Sequence, residues 1–85
     1  MSSMNKIRVL FFATLRQAAG MKTLDLEIPD QLSVRDLLEM LGRDYPSLKE
    51  PLKTVVVAIN REFAFEDALI PAGSDVGLFP PVSGG

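Results

Sequence analysis

Apolar and polar positions along this chain switch between a period of two and a period near 3.6, and those switches lay out its elements. Lys6-Ile7-Arg8-Val9-Leu10-Phe11-Phe12 is β-branched and aromatic, and both of its alternating sets become apolar towards the end. That pattern predicts an interior strand covered on both faces. Ala13 to Ala19 sets Leu15, Ala18 and Ala19 at helical spacing, and Gly20 stands where a left-handed C-terminal cap is expected. Thr23-Leu24-Asp25-Leu26-Glu27-Ile28 alternates polar and apolar, as a strand with one wet face does, and ends at Pro29.

Ser33 is placed to cap a helix, and Asp36 three residues later puts a carboxylate near the positive end of its dipole. Val34, Leu37, Leu38 and Leu41 share one face of that helix, and Leu32 can form a hydrophobic staple with Leu37. The helix is expected to end between Gly42 and Tyr45, because Pro46 pushes the residue before it out of helical geometry. Pro46 to Lys53 reads as a loop. Val55 to Ile59 is a continuous apolar run, expected to be buried on both faces. Asn60-Arg61 predicts a turn and Glu62 to Phe65 a short strand, with Phe63 and Phe65 expected in the core. Leu69 to Ser74 is a connection and Asp75 to Phe79 the final strand. The order ββαββ(β) predicts an α+β fold in which a mixed sheet packs on one main helix. Residues 1–79 are expected to form this domain, with 80–85 as an extended tail.

Composition narrows the chemistry more than the fold. The 85 residues suffice for one core, and 47% hydrophobic with 24% charged residues is ordinary for a globular domain. With a net charge of −2 and no basic run, nucleic-acid binding is not expected. The apolar stretch after Lys6 and Arg8 is too short for a signal-peptide core, and no run approaches the roughly 20 residues of a membrane span. A cytoplasmic protein with no membrane contact is therefore expected. Cysteine and histidine are both absent, which removes thiolate nucleophiles, disulfides, imidazole bases and most transition-metal sites. No bound cofactor is expected, and chemistry must come from carboxylates, hydroxyls, lysines or the chain terminus.

The sequence ends Pro80-Pro81-Val82-Ser83-Gly84-Gly85. Two prolines hold the start of this segment extended, and six residues reach roughly 20 Å. Gly84 and Gly85, without Cβ atoms, can pass through a narrow channel and let another protein approach the terminal carbonyl. That carboxyl, with a reference pKa of about 3.3 to 3.7, is a poor acyl donor until activated. The chain contains no phosphate-cradling glycine loop followed by lysine, so activation would fall to an ATP-dependent partner. A frayed terminus or a linker scar is the competing reading of the same residues.

Three segments share a further pattern: Val9-Leu10-Phe11-Phe12-Ala13-Thr14-Leu15-Arg16, Val57-Ala58-Ile59-Asn60-Arg61-Glu62-Phe63, and Phe79-Pro80-Pro81-Val82-Ser83-Gly84-Gly85. Together, in this order and over nearly the whole chain, they resemble the small, sulfur-carrying subunits of molybdopterin synthase. The resemblance implies a β-grasp, ubiquitin-like fold. It implies that Gly85 is adenylated by an ATP-dependent activating enzyme, receives sulfur from a donor system as a thiocarboxylate, and enters the large synthase subunit. There sulfur would pass to cyclic pyranopterin monophosphate, two charged carriers being used per product, in a heterotetramer of two small and two large subunits. The small subunit would not be an enzyme on its own.

Carried onto this chain, Gly85 would hold the acyl group, Gly84 would allow passage, and Pro80, Pro81, Val82 and Ser83 would line the partner's channel. Phe79 would be an apolar contact at the root of the tail or a core residue of the last strand. Arg16 falls on the family's Leu-Arg pair and would meet a partner carboxylate or stay solvated. Gly73-Ser74-Asp75-Val76-Gly77 stands where the family commonly shows Gly-Asp-Glu-Val-Ala, and Gln17 where Glu is frequent. A diglycine end is shared with carriers for thiamine or other sulfur metabolites and with ubiquitin-like modifiers, which are the alternative readings. A plain interaction module with an inert tail is the third.

Overall fold

The computed structural model describes residues 4–81. The order is β1 (Met4–Phe11), α1 (Thr14–Ala19), β2 (Thr23–Pro29), α2 (Val34–Asp44), β3 (Val56–Ile59), β4 (Glu62–Ala64) and β5 (Asp75–Phe79). The strands form one five-stranded sheet in the order β2-β1-β5-β3-β4. β5 runs parallel to β1 and antiparallel to β3, while β1–β2 and β3–β4 are antiparallel hairpin pairs. The sheet is therefore mixed and packed on one main helix, as expected. The last strand lies in its middle, so the chain leaves the fold from the centre of the sheet.

Register divides the sheet into two faces. Val9 pairs with Leu24 and Val76, Phe11 with Leu78, and Val57 with Leu78 and Ala64, so these residues share the inner face. Val34, Leu37 and Leu41 of α2 pack onto that face, joined by Leu15, Ile28 and Ile70, all within the core. The helical stripe predicted for α2 is thus the buried one, with Leu38 half-buried at its margin.

The start of α2 is secured from two directions. Ser33 Oγ accepts from the Asp36 amide at 3.1 Å, the predicted cap. The Val34 and Arg35 amides donate to the carbonyls of Ala68 and Glu66, each at 2.9 Å. Three amides that a helix leaves without partners are thereby satisfied, and the loop after β4 is tied to the helix. Ser33→Ala is expected to cost about 1 kcal/mol, seen as a lower urea midpoint with an unchanged slope.

Three expectations are corrected here. Pro46 to Lys53 is not an open loop but carries two 3₁₀ turns, Pro46–Leu48 and Pro51–Thr54, which bury Leu48 and Leu52. Each turn starts on a proline whose fixed φ suits it. Second, β1 is covered only on its inner face, since Lys6 and Arg8 are exposed and Leu10 half-buried. In Val55 to Ile59, only Val57 and Ala58 are buried. Third, Phe63 and Phe65 are not core residues: they are 83% and 84% exposed. Phe63 sits on the outer face of edge strand β4, which nothing covers, and Phe65 follows the strand where the chain turns away to cap α2.

Candidate functional site

The turn that launches β5 is closely specified. Gly73 adopts φ 75°, a left-handed conformation that glycine takes at no steric cost, and its amide donates to the Lys6 carbonyl at 2.8 Å. The buried Ser74 hydroxyl donates to the Pro71 carbonyl at 2.6 Å. Asn60 closes the other side: its amide donates to the Asp75 carbonyl at 2.8 Å, and its Oδ1 accepts from the Asp75 amide at 3.0 Å. β5 is thus held at its start and between two strands, which fixes the point from which Phe79, Pro80 and Pro81 continue.

On the outer face a row of small and apolar residues crosses the sheet: Leu10 pairs with Gly77, Gly77 with Ala58, and Ala58 with Phe63. Next to it, Phe12 and Phe79 stack with ring centroids 4.4 Å apart and planes inclined by 6°. A shallow hollow of about 400 Å³ lies over Leu10, Phe12, Ala58, Gly77 and Phe79. A Cβ on Gly77 would stand 3.1 Å from Phe79 Cε1 and 3.4 Å from Phe12 Cε2. Glycine at this position therefore leaves room for the stacked pair. Ala58 and Gly77 are buried beneath their neighbours, Leu10, Phe12 and Phe79 are half-buried and Phe63 is exposed. The apolar area that reaches water here is thus grouped rather than scattered singly, which marks a contact surface.

Polar residues edge the row. Arg8 Nε lies 3.0 Å from Asp25 Oδ1, a hydrogen bond that, with the charge of the same carboxylate, pushes the Arg8 guanidinium above its ordinary value. The pair is solvent-exposed and contributes little to stability. Asn60 and Arg61 form the β3–β4 turn with φ 51° and 72°. Both central residues are left-handed, a geometry in which asparagine is at home and the second position favours glycine. Arg61→Gly is expected to raise stability by about 0.5 to 1 kcal/mol, because relief of the left-handed strain slightly exceeds glycine's entropy cost. A higher melting midpoint would show it.

Of the site residues expected from the sequence, Phe79 is half-buried on the outer face, Pro80 half-buried and Pro81 exposed. These three stand in line at the exit of the central strand. Val82, Ser83, Gly84 and Gly85 lie outside the described residues. Arg16 is exposed on α1, with Nε 3.4 Å from the Phe11 carbonyl oxygen, and forms no ion pair among the described residues. Leu10, Phe12, Phe63 and Gly77 belong to the same surface and escaped sequence reasoning. Their signal was the second apolar set in β1, which predicted a covering layer instead of an uncovered face.

A family model described as the ThiS family matches residues 9–85, from the first strand through the diglycine. The chain belongs to the ThiS family. Within that family's wider set of relatives, it is 34% identical over 94% of its length to a molybdopterin synthase sulfur carrier subunit of Arabidopsis thaliana, covering 83% of that protein. Among solved structures it matches a putative molybdopterin converting factor, subunit 1, of Pyrococcus furiosus. That match has a TM-score of 0.82 and 32% identity, and covers 92% of this chain and 99% of the other. SAMP1 of Haloferax volcanii matches with a TM-score of 0.82 and 30% identity, covering 94% and 99%. The fold is the ubiquitin-like β-grasp that the resemblance implied. Among the described residues no helix is long and apolar enough to cross a membrane, and no cluster of three or more potential metal ligands occurs.

Proposed function

We propose that this chain is a sulfur carrier of molybdenum cofactor biosynthesis, whose Gly85 carboxylate is the carrying group. The observation that supports this most is the placement of β5. The strand preceding the tail is clamped in the middle of the sheet, and its exit at Phe79-Pro80-Pro81 adjoins an uncovered aromatic surface. A partner seated on that surface would find the tail entering it from a fixed origin, so the ordering cost of docking falls on the last few residues alone.

The chemistry follows from the terminus. A carboxylate oxygen of Gly85 attacks the α-phosphorus of ATP on a ubiquitin-activating-like adenylating enzyme, releasing pyrophosphate and leaving an acyl adenylate. Sulfur from a donor system attacks the acyl carbon, AMP leaves, and a thiocarboxylate remains. In the large subunit of molybdopterin synthase the thiocarboxylate sulfur would displace an oxygen substituent of cyclic pyranopterin monophosphate, which leaves with the C–O bond's electron pair. Water then cleaves the acyl–sulfur bond, leaving sulfur on the pterin and restoring the Gly85 carboxylate. Pro80, Pro81, Val82, Ser83 and Gly84 line the channel, Phe79 seats the root of the tail, and Arg16 stands at the rim for a partner carboxylate. The chain supplies no catalytic side chain and binds no cofactor, in keeping with its lack of cysteine and histidine.

Intact mass tests this directly. After incubation with the adenylating enzyme, ATP and a sulfide source, the chain is expected to gain the mass difference of sulfur replacing oxygen, located on Gly85. Adding the large subunit and pterin precursor should remove that gain. An unchanged mass, with an activating enzyme shown to charge a known carrier, would overturn the proposal.

The likeness to SAMP1, a small archaeal modifier protein, favours a second reading in which the same activated carboxylate is joined to lysines of other proteins. Stable higher-mass conjugates that vanish when Gly85 is removed would decide for it. A carrier for thiamine or another sulfur metabolite shares the activation chemistry and differs only in the acceptor, so restoration of thiamine but not molybdopterin in carrier-deficient cells would favour that role.

A further inference from the structure

A second surface lies on the helix side of the sheet, away from the face beside the tail. A groove of about 540 Å³ runs between α2 and the two 3₁₀ turns. Its floor includes Leu38, half-buried one position round from the core stripe, and Leu52. Gly42 lies beside Lys49 across the groove, close enough that a Cβ there would meet the Lys49 Cα at ordinary contact distance, 3.6 Å.

Charge is segregated around this floor. Arg35, Arg43, Lys49 and Lys53 line the groove, four of the nine basic residues in a chain whose net charge is −2. Only Glu39 and Glu66 of its eleven acids do so. Arg35 Nε is 3.3 Å from Glu66 Oε2 and Lys53 Nζ 3.1 Å from Glu50 Oε1, but both pairs are more than half exposed and are easily exchanged for a partner's carboxylates. Arg43 and Lys49 form no ion pair among the described residues.

The groove does not stop at Lys53. A neighbouring one of about 360 Å³ shares Leu38, Leu52, Lys53 and Glu66 with it and continues past Val55 and Val56 to the exposed rings of Phe63 and Phe65. Here the sheet has an open edge. β3 pairs with β5 as far as Val56, whereas its pairing with β4 ends at Val57, because the chain has left to cap α2. A strand edge, an apolar floor and a cationic rim in continuity fit one kind of occupant.

We infer that this groove docks an extended acidic segment of a partner protein, with apolar side chains on Leu38, Leu52 and Phe65 and carboxylates on Arg43, Lys49 and Lys53. A phosphate chain is a poorer match, because Glu39 and Glu66 oppose it and the floor is apolar. The site is independent of the tail chemistry, and the stretch between α2 and the 3₁₀ turns shares no lining residue with the hollow beside the tail, Phe63 alone standing at the border of the two surfaces. A partner could therefore hold the carrier from behind during activation or transfer.

The test titrates the isotopically labelled full chain with two ten-residue peptides and follows backbone amide signals. In the first, aspartate and glutamate alternate with leucine and isoleucine; in the second, lysine replaces every acid. The acidic peptide is expected to move Leu38, Gly42, Lys49, Leu52 and Phe65 while leaving Leu10, Gly77 and Phe79 in place, and the lysine peptide to move none of them. R43E with K49E, both at exposed positions, should weaken the acidic peptide by about tenfold or more through charge reversal. No movement at millimolar peptide, equal movement by both peptides, or movement centred on Gly77 and Phe79 would each overturn the inference.

Discussion

Deleting Gly84 and Gly85 is expected to abolish sulfur transfer completely while leaving folding stability within about 0.5 kcal/mol of the full chain. The two effects separate because the tail continues from Pro80 and Pro81 beyond the clamped β5, whereas the core is made by Val9, Phe11, Leu37, Leu41, Val76 and Leu78 far behind it. Every residue of that core lies within the described 4–81. The chemistry, by contrast, depends on reach. Two extended residues span about 7 Å, so a chain ending at Ser83 presents its carboxylate that far short of the position it must occupy. Misplacement of a reacting group by about 1 Å can cost a hundredfold in rate, so 7 Å leaves no measurable turnover. The measurement is product formation in a reconstituted synthase, beside a urea unfolding curve of the same preparation. Product from the truncated chain would remove Gly84, Gly85 and the reach they provide from the mechanism. Loss of product together with loss of the folded state would show that the tail braces the domain and would leave transfer chemistry without support from this variant.

Much of this architecture was legible in the residues because local signals agreed with one another. Ser33 and Asp36 marked the start of α2, the apolar spacing of Val34, Leu37 and Leu41 gave its buried stripe, and Gly20 marked the left-handed end of α1, with φ 74°. What stayed hidden depends on partners distant in sequence. The second apolar set of β1, Leu10 and Phe12, predicts cover on both faces, because periodicity reports that a face is apolar and not what lies against it. Phe63 and Phe65 were misplaced for the same reason: an aromatic pair on a short strand signals burial unless the strand lies at an edge with no layer above it. The two 3₁₀ turns were masked by prolines, which signal a loop while also starting tight helical turns. The insertion of β5 between β1 and β3 left no local mark at all, although it is the feature that gives the tail its origin.

Those misplaced aromatics lead to the other large effect. Phe63→Asp is expected to weaken binding to the large synthase subunit by about a hundredfold while changing folding stability by no more than about 1 kcal/mol. The small folding cost follows from exposure: at 83% exposed the ring contributes almost no buried area, and only the strand preference of an edge position is lost. The binding cost follows from location. Phe63 stands opposite Ala58, whose other neighbour is Gly77, so it continues the apolar row beside the stacked Phe12 and Phe79. A buried aromatic contact in an interface is commonly worth about 2 kcal/mol, and an unpaired carboxylate taken out of water adds a further penalty of about 1 to 3 kcal/mol. Together these exceed the roughly 2.7 kcal/mol that a hundredfold change requires. Calorimetric titration against the large subunit, with the unfolding midpoint measured in parallel, reads both quantities. Unweakened binding would mean that the outer face is not where the partner sits, and the aromatic row beside the tail would need another purpose. Weakened binding with a preserved fold would tie Phe63 to the same surface as Phe79, and would explain why a protein this small leaves that ring in water.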